Sequence, residues 1–394
     1  MSFQEYLDMM KDIQENILNF FDEEVKSEEY FLNPKTKFNN TKICDNKYDL
    51  LLLLHLISTI LDNYHHFPNF FSKIEKILQF FKEDIKKYFT NSEIFNIFKS
   101  SKRILLFLVE QQIIIIDEFI AKKITNIDIY IEAKYPQYFQ PEIQPFFNEK
   151  WFPKYDPKDR YLEKNSWVEE IKKELPENYY GKRKEGENDS KICKLIRNDM
   201  IKEFVSYVTR NNVSLNAKIQ PSIYETNSFL LIPQRKSNQF HKDSEFSLIE
   251  YAAFFGSIKI LKYLQFKNVI LTPSLWFLAI HSQNAEMIHF LESNCVKLDD
   301  KSCKQIFHES IKCHHNNIAN YFINNFLEND EINSRDTIHQ SIKYYNFAFF
   351  ENDFINELSF CNLCKCDYCA LVDKLLKSEV IDVNKKEISN IHLI

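Results

Sequence analysis

Glycine is scarce in this sequence: its 394 residues include only three glycines, together with 11 prolines. β-Sandwiches and β-barrels need many tight turns, and glycine is the residue that many of those turns use. The patterns GxxxxGK[ST], GxGxxG and GxSxG, which cradle phosphates or present a catalytic serine, are absent as well. The scarcity of glycine therefore argues against an all-β fold and against the commonest nucleotide-binding and hydrolase sites.

The sequence also lacks a secretion signal and an apolar run suited to crossing a membrane. Its first residues, MSFQEYLDMMKDIQEN, are acidic and amphipathic, without the basic and then apolar order of a signal peptide. The run YDLLLLLHLISTILD is too short to span a bilayer, and RILLFLVEQQIIIIDEFI is interrupted by Glu110 and Asp117. Nine cysteines, an odd number, indicate reduced thiols. We therefore expect a cytoplasmic protein that does not associate with a membrane.

A basic stripe is missing too. The net charge is −6, from 50 basic and 56 acidic residues that are interspersed along the chain. Proteins that bind nucleic acids usually concentrate lysine and arginine on one surface. The most basic segment, YYGKRKEGENDSK, is diluted by acidic residues and is predicted to be a solvated linker. We expect no nucleic-acid partner.

No catalytic constellation stands out among the polar residues. The histidine pairs His65–His66 and His314–His315 are adjacent in sequence, so their rings point in different directions. A zinc protease would need the HExxH motif, which does not occur. The carboxylates are numerous, but none forms a pair that differs from an ordinary solvated helix face. We predict that the protein is not an enzyme and binds no cofactor.

Apolar residues at helical spacing are what the sequence has in abundance. Hydrophobic residues make up 44% of the chain and include 36 phenylalanines. They recur with a helical period in segments such as FQEYLDMMKDIQENILNFF and FFSKIEKILQFFKEDIKKYF. We predict an all-α fold with an N-terminal helical domain at 1–172, a charged linker at 173–190 and a helical-repeat array at 191–394.

A repeated pattern runs through the last of these regions. The segments AAFFGSIKILKYL, from Ala252, and AIHSQNAEMIHFL, from Ala279, align with small and apolar residues at matching positions. Further copies and one earlier unit begin at Ser310, Ser341, Leu363 and Leu195. Such self-similarity indicates stacked helix pairs, each of which buries its apolar face against its neighbours.

The unit SLIEYAAFFGSIKILKYL, residues 247–264, resembles the ankyrin repeat, whose pattern is T-P-L-H-x-A-A-x-x-G-x-x-x-[IV]-V-x-x-L-L. It keeps the two alanines and Gly256, and the last unit adds the ankyrin ending DVN at 382–384. More specifically, the chain is similar to the divergent ankyrin-repeat proteins expanded in some parasitic protists, in which a helical N-terminal region of unknown function precedes degenerate repeats. The resemblance implies paired antiparallel helices, with Gly256 in a left-handed turn between them. It also implies strained or rearranged turns where other copies place Gln283, His314 and Asp367.

The resemblance further implies a function. Stacked ankyrin repeats leave a concave surface that binds other proteins, so we predict a non-catalytic protein–protein interaction module with an unidentified protein partner. We expect its contacts on the two residues before each inter-helix turn: Phe254, Phe255, His281, Ser282, Lys312, Cys313, Lys365 and Cys366. Packing against the insertion at 233–244 is the alternative for the two phenylalanines. For the whole protein, the alternative is an enzyme or modifier activity in residues 1–172, with the repeats recruiting its substrate.

The cysteine cluster CNLCKCDYC is the sharpest chemical pattern in the sequence. Its two CxxC pairs, Cys361 with Cys364 and Cys366 with Cys369, supply the four thiolates that a tetrahedral zinc site needs. A metal or redox sensor is therefore a further alternative. One residue separates the pairs, however, whereas zinc ribbons and fingers place a loop of a dozen or more residues between them. Free cysteine is also a good small core residue, so we predict a structural role and no bound metal.

Overall fold

The computed structural model of the protein is helical throughout the part of the chain that it describes. There, every regular element is an α-helix or a short 3-10 helix, and the strand-like pairing is an isolated bridge between Lys218 and Ser247. The prediction of an all-α fold is confirmed. No described helix combines the length and the apolarity needed to cross a membrane. The described residues are 2–22, 46–61, 63–64, 69–126, 134–146, 171–231, 245–327, 335–350 and 357–377.

The α-helices are numbered here in chain order. The first nine are α1 (Phe3–Asp22), α2 (Lys47–Leu61), α3 (Phe70–Phe80), α4 (Lys82–Tyr88), α5 (Asn91–Phe98), α6 (Lys102–Glu110), α7 (Glu118–Asn126), α8 (Tyr135–Tyr138) and α9 (Gln140–Ile143). The others are α10 (Tyr179–Glu185), α11 (Lys191–Arg197), α12 (Ile201–Arg210), α13 (Ser228–Leu231), α14 (Leu248–Phe254), α15 (Ile258–Phe266), α16 (Ser274–Ser282), α17 (Ala285–Ser293), α18 (Asp300–Lys312), α19 (Asn316–Phe326), α20 (Arg335–Lys343), α21 (Glu357–Lys365) and α22 (Cys369–Lys377).

The chain divides into two compact units. One unit, here called the split unit, combines residues 1–88 with residues 297–394, and the other, the central unit, comprises residues 89–296. These boundaries differ from the ones that the sequence suggested near residues 172 and 191. The difference arises because helices that are far apart in sequence pack together, whereas composition and periodicity report only on local stretches of chain.

Three helical hairpins stack side by side in the central unit. They are α11–α12, α14–α15 and α16–α17, and α14 packs against both α11 and α16. The small side chains of Ala252 and Ala253 are fully buried in α14, as the ankyrin resemblance implies. A capping box begins α14: the Ser247 hydroxyl accepts the N–H of Glu250, and the Glu250 carboxylate accepts the N–H of Ser247 at 2.8 Å. The serine and glutamate three residues apart thus place the start of this helix.

The N-terminal helix belongs to the core of the split unit. Helix α1 packs against α22 and against the 3-10 helix Phe347–Phe349, while α2 also contacts α22. Gln14 of α1 is buried, and its Nε2 donates to Asn346 Oδ1 at 2.8 Å while its Oε1 accepts the N–H of Phe347 at 2.6 Å. These two bonds fix the position of α1 on the C-terminal part of the unit.

Left-handed residues mark the turns inside all six repeat copies. The φ angles are 47° at Asp199, 68° at Gly256, 49° at Gln283, 57° at His314, 55° at Tyr345 and 58° at Asp367. In all but the turn at Gln283, the next residue donates its N–H to the carbonyl oxygen five positions earlier, at 2.9–3.1 Å. The non-glycine turns therefore keep the left-handed conformation instead of rearranging, at a strain of about 1–2 kcal/mol each.

Replacing Gly256 by valine should lower the free energy of unfolding by more than ~1 kcal/mol, because a β-branched residue resists positive φ. A Cβ atom at this position would also lie 3.3 Å from the Asn284 Cβ and 3.4 Å from the Ser282 Cβ. Thermal and urea unfolding measure the loss. Gly256→Asn is the control, since asparagine tolerates the left-handed region and should cost less. Equal stability of the valine variant and the parent protein would contradict the assignment of this turn.

The segment predicted to be a charged linker, 173–190, is instead part of the packed structure. It contains α10, whose Tyr179 and Arg183 are buried. The Arg183 guanidinium contacts the Glu142 carboxylate at 2.8 Å, and Asn188 donates its Nδ2 hydrogen to Gln220 O at 2.9 Å. The linker prediction is wrong because charge density was taken for solvation, although the key charges are paired inside the central unit.

Candidate functional site

The eight residues predicted to bind a partner do not form one exposed surface. Phe254, His281, Ser282 and Cys313 are buried, so a partner cannot reach them without unfolding their surroundings. Phe255, Lys312 and Cys366 are half-buried, and Lys365 is exposed. The prediction that these positions form one accessible surface is therefore wrong. The two residues before each turn differ in exposure from one hairpin to the next.

Aromatic packing explains the burial of Phe254 and His281. The ring of Phe229, on α13, stacks on Phe254 at 5.3 Å between centroids and lies 4.2 Å from His281. Helix α16, which carries His281, is buried along its whole length. Phe229 lies four residues before the insertion at 233–244, which is outside the described residues. Two positions of the face that the ankyrin resemblance assigned to a partner, Phe254 and His281, are thus covered by the chain itself.

Two large apolar side chains protrude at the opposite end of the same hairpins. Phe266, the last residue of α15, and Ile270, in the turn that follows, are each 78% exposed. Asn268 takes the left-handed conformation between them, with φ 63°. The ammonium group of Lys267 lies over the Phe266 ring at 5.6 Å from its centroid. We call Phe266, Lys267 and Ile270 the apolar tip.

The stretch of chain that carries the apolar tip is basic, although the protein as a whole is acidic. Residues 251–285 contain no aspartate or glutamate but include Lys259, Lys262 and Lys267. One of these charges is compensated, because Lys262 Nζ contacts the carboxylate of Glu286 at 2.7 Å. The tip therefore combines exposed apolar side chains with lysines on the same stretch of chain, and lysines of this kind can guide the approach of an acidic partner.

The central unit also contains a buried ionic cluster. Lys102 donates its Nζ hydrogen to Ile223 O at 3.1 Å and lies over the Tyr138 ring at 4.9 Å from its centroid. Burial lowers the pKa of Lys102 to about 7, and the nearby Glu225 carboxylate opposes that shift. Glu225 accepts backbone N–H groups from residues 188, 226 and 227 at 3.3, 3.0 and 2.9 Å. Burial nevertheless raises the pKa of the Glu225 carboxyl.

This ionic cluster has no exposed face. Lys102 is fully buried and Glu225 is 6% exposed, so neither side chain can meet a substrate in this conformation. Their partners are backbone groups and aromatic rings of the same unit, which is the arrangement expected of a structural polar core. The perturbed pKa values here follow from burial and do not mark an accessible catalytic site.

The four clustered cysteines differ widely in exposure. Cys361 is buried, Cys364 and Cys366 are half-buried, and Cys369 is exposed at the first position of α22. No three His, Cys, Asp or Glu ligand atoms around this cluster lie within 4.8 Å of one another among the described residues. The four thiols therefore do not form a closed zinc site of the kind that two CxxC pairs could make.

Comparison with known proteins gives no relative for this chain. No protein-family model matches it, and no curated protein or solved structure matches it either. The apolar tip could not be found from the sequence, because Phe266, Val269 and Ile270 have the spacing of a single buried helix face. Only the structure shows that Val269 is buried while Phe266 and Ile270 are exposed.

Proposed function

We propose that the protein is a non-catalytic protein–protein interaction module of the divergent ankyrin-repeat type, and that its partner binds the apolar tip. The observation that carries the proposal is the 78% exposure of both Phe266 and Ile270 at the end of one hairpin. Exposed apolar side chains that lie close together favour a surface that meets another protein, and these two lie within five residues of each other. The partner contact thus lies at the hairpin end and not on the stripe before the inter-helix turns.

The packing of the helix pairs supports the proposal that they are ankyrin-type repeats. Ala252 and Ala253 are buried where the ankyrin pattern needs close helix approach, and Gly256 takes the left-handed turn. A second left-handed residue follows the second helix of each of the three hairpins in the central unit, at Asn212, Asn268 and Cys295. Paired helices with turns at fixed positions present their hairpin ends in a row, which is a surface that repeat proteins use for binding.

The energetics of the tip suit an interface anchor. Burying one phenylalanine or isoleucine side chain contributes about 1.5–3 kcal/mol. A few aromatic and apolar anchors generally carry most of the affinity of an interface, while surrounding charges guide the approach. Lys267, held over the Phe266 ring, is placed to meet a carboxylate on the partner.

Photo-crosslinking tests this function. We expect p-benzoylphenylalanine at position 266 to crosslink one defined partner in native cells, and the double substitution Phe266→Ala with Ile270→Ala to abolish capture of that partner. The melting temperature should change little, because both side chains are exposed. The measurement is mass spectrometry of the crosslinked species together with a pull-down of the purified variant.

Ile115 supplies the matched control. It is 65% exposed in the same unit but lies outside the apolar tip. A crosslinker at position 115 should not capture the same partner, and Ile115→Ala should leave binding intact. Undiminished binding by the Phe266/Ile270 double variant, or equal loss in the Ile115 variant, would remove the apolar tip from the function.

A further inference from the structure

The ring of Phe229 is enclosed by other aromatic rings of the central unit. Its centroid lies 5.3 Å from that of Phe254, 5.7 Å from that of Phe277 and 4.2 Å from that of His281. Phe246, two residues before α14, adds a fourth ring at 5.8 Å. Phe254 belongs to α14, whereas Phe277 and His281 belong to α16, so these rings hold one phenyl group between two neighbouring hairpins. We call the four residues around Phe229 the aromatic pocket.

The side chain that fills the aromatic pocket comes from outside the stacked hairpins. Phe229 lies on α13, a single turn of four residues that is part of none of the three hairpins. Phe229 is 3% exposed and Leu231 is 8% exposed, whereas Ser228 and Leu230 are half-buried. The turn therefore buries two apolar side chains and leaves its other two partly open to solvent, as a short bound peptide does.

The backbone of α13 is bonded to the residue just before it. The N–H groups of its last two residues donate to Asn227 O at 3.2 and 3.3 Å, and the N–H of Phe229 donates to Asn227 Oδ1 at 3.0 Å. Thr226 is fixed to the unit, since its N–H and its hydroxyl both donate to Gly186 O, at 3.2 and 2.7 Å. The turn can therefore swing about residues 226–227 with these bonds to Asn227 intact. A turn of four residues is not stable alone, so the two buried side chains are needed to hold it in place.

We propose that α13 is an autoinhibitory internal ligand, and that the aromatic pocket binds a partner peptide with the same pattern, Asn-x-Phe-x-Leu. The phenylalanine of that peptide enters the pocket in place of Phe229, and its asparagine caps the turn as Asn227 does in the chain itself. Aromatic side chains in enclosed pockets are common anchors of recognition. The pocket residues differ from those of the apolar tip, so this inference does not rest on the function proposed above.

The exchange replaces one buried phenylalanine by another. The contacts inside the aromatic pocket are therefore similar in the closed protein and in the complex, and the internal ligand is favoured because it is tethered to the chain at a high effective concentration. The affinity measured for a free peptide is its affinity for the open pocket multiplied by the fraction of molecules in which α13 has left. A change that weakens α13 and preserves the pocket should thus strengthen peptide binding.

Fluorescence anisotropy of the full-length protein with a labelled peptide tests the exchange. The probe is TNSFLL, the sequence of residues 226–231. Phe229→Ala opens the pocket and should bind one peptide per chain at least about tenfold more tightly than the parent protein does. Asn227→Ala removes the oxygen that caps α13 but keeps Phe229 and the aromatic pocket, and it should tighten binding by a smaller factor. The same peptide with alanine in place of phenylalanine should bind none of these proteins.

Phe204→Ala is the matched control for lost packing. Phe204 is fully buried on α12 of the same unit, and its ring contacts Tyr263 at 6.2 Å between centroids, so its removal should not improve peptide binding. Circular dichroism shows whether each variant folds, and Phe229→Leu, which keeps an apolar side chain, should show the same direction of change if the alanine variant does not fold.

Three results would each overturn the proposal. The first is equal peptide affinity of the parent protein and the folded Phe229 variant, and the second is equal affinity of the Phe229 and Phe204 variants. The third is an unchanged affinity in Asn227→Ala, which would make α13 a permanent part of the core. The double variant Phe266→Ala with Ile270→Ala should bind the peptide as the parent does, so the test is independent of the apolar tip.

Discussion

Replacing Arg183 by methionine should destabilise the protein by about 3–5 kcal/mol, because it leaves the Glu142 carboxylate without its partner inside the central unit. The Arg183 side chain is 5% exposed and that of Glu142 is 18% exposed, with 2.8 Å between Nη1 and Oε2. Arg183 also donates to Tyr138 O at 3.2 Å, a bond that methionine cannot make. Urea unfolding followed by circular dichroism measures the change.

The preceding residue, Lys182, is the matched control. Lys182 Nζ contacts Asp189 Oδ2 at 3.0 Å, but both side chains are about one-third exposed. Lys182→Met should therefore cost less than about 1 kcal/mol, as solvent screens such pairs. Adding Glu142→Gln to Arg183→Met should restore part of the lost stability, since it removes the unpaired charge. Equal costs for Arg183→Met and Lys182→Met would contradict the buried ion pair.

The Arg183–Glu142 ion pair shows why the prediction of a solvated linker at 173–190 was wrong. In sequence, the segment YYGKRKEGENDSK has the charge density of a solvated connection. Its partner Glu142 is 41 residues away, and the rings that cover Arg183, those of Tyr179 and Tyr180, look like any other aromatic residues. Burial of a charge depends on such distant partners, so composition cannot reveal it.

The positions of the turns, by contrast, could be predicted from the alignment of the copies together with the ankyrin resemblance. Aligning the copies from Leu195, Ala252, Ala279, Ser310, Ser341 and Leu363 places one position at the inter-helix turn in each. Every residue at that position has positive φ. Helix length and the site where a helix must stop are local properties, and apolar periodicity together with one glycine is enough to indicate them.

The association of helices and the accessible surface were not predictable. Nothing in α1 distinguishes it from a helix of a separate N-terminal domain, because the contact of Gln14 with Asn346 requires a partner 332 residues away. The prediction of a partner-binding surface on the residues before the turns was wrong for a similar reason. Phe229 covers Phe254 and His281 from a segment that has no counterpart in the repeat pattern.

Acid should weaken the protein well before its carboxylates are protonated, through the buried His314. Gln14 Nε2 can only donate and lies 3.2 Å from His314 Nδ1, while His314 Nε2 lies 2.8 Å from Tyr344 O, which can only accept. The ring must therefore be neutral, with its proton on Nε2. Burial lowers the pKa of His314 to about 4, from 6.5 in an unfolded chain.

The sign of the effect follows from proton binding in the two states. Between pH 6.5 and 4 the unfolded chain takes up a proton at His314 and the folded protein does not, so stability falls as the pH falls. The slope approaches about 1.4 kcal/mol per pH unit only well below pH 6.5, so the loss between pH 6.5 and pH 5 is about 1.6 kcal/mol. His308, whose pKa burial also lowers to about 4, adds to the loss in the same direction and the same range.

Urea unfolding at pH 7, 6 and 5 measures the loss, and histidine substitutions identify its source. His314→Asn keeps a residue that tolerates the left-handed turn but removes the titrating ring, so its stability should depend less steeply on pH than that of the parent protein. His289→Gln, which removes a histidine whose side chain is 72% exposed, should leave the parent slope unchanged. A parent protein equally stable at pH 7 and 5 would contradict the buried neutral imidazole. If the stability of His314→Asn depends on pH as steeply as that of the parent protein, the acid sensitivity comes from His308, whose Nε2 lies 3.2 Å from Thr337 Oγ1. In that case the Gln14–His314 contact, which attaches α1, is not its source.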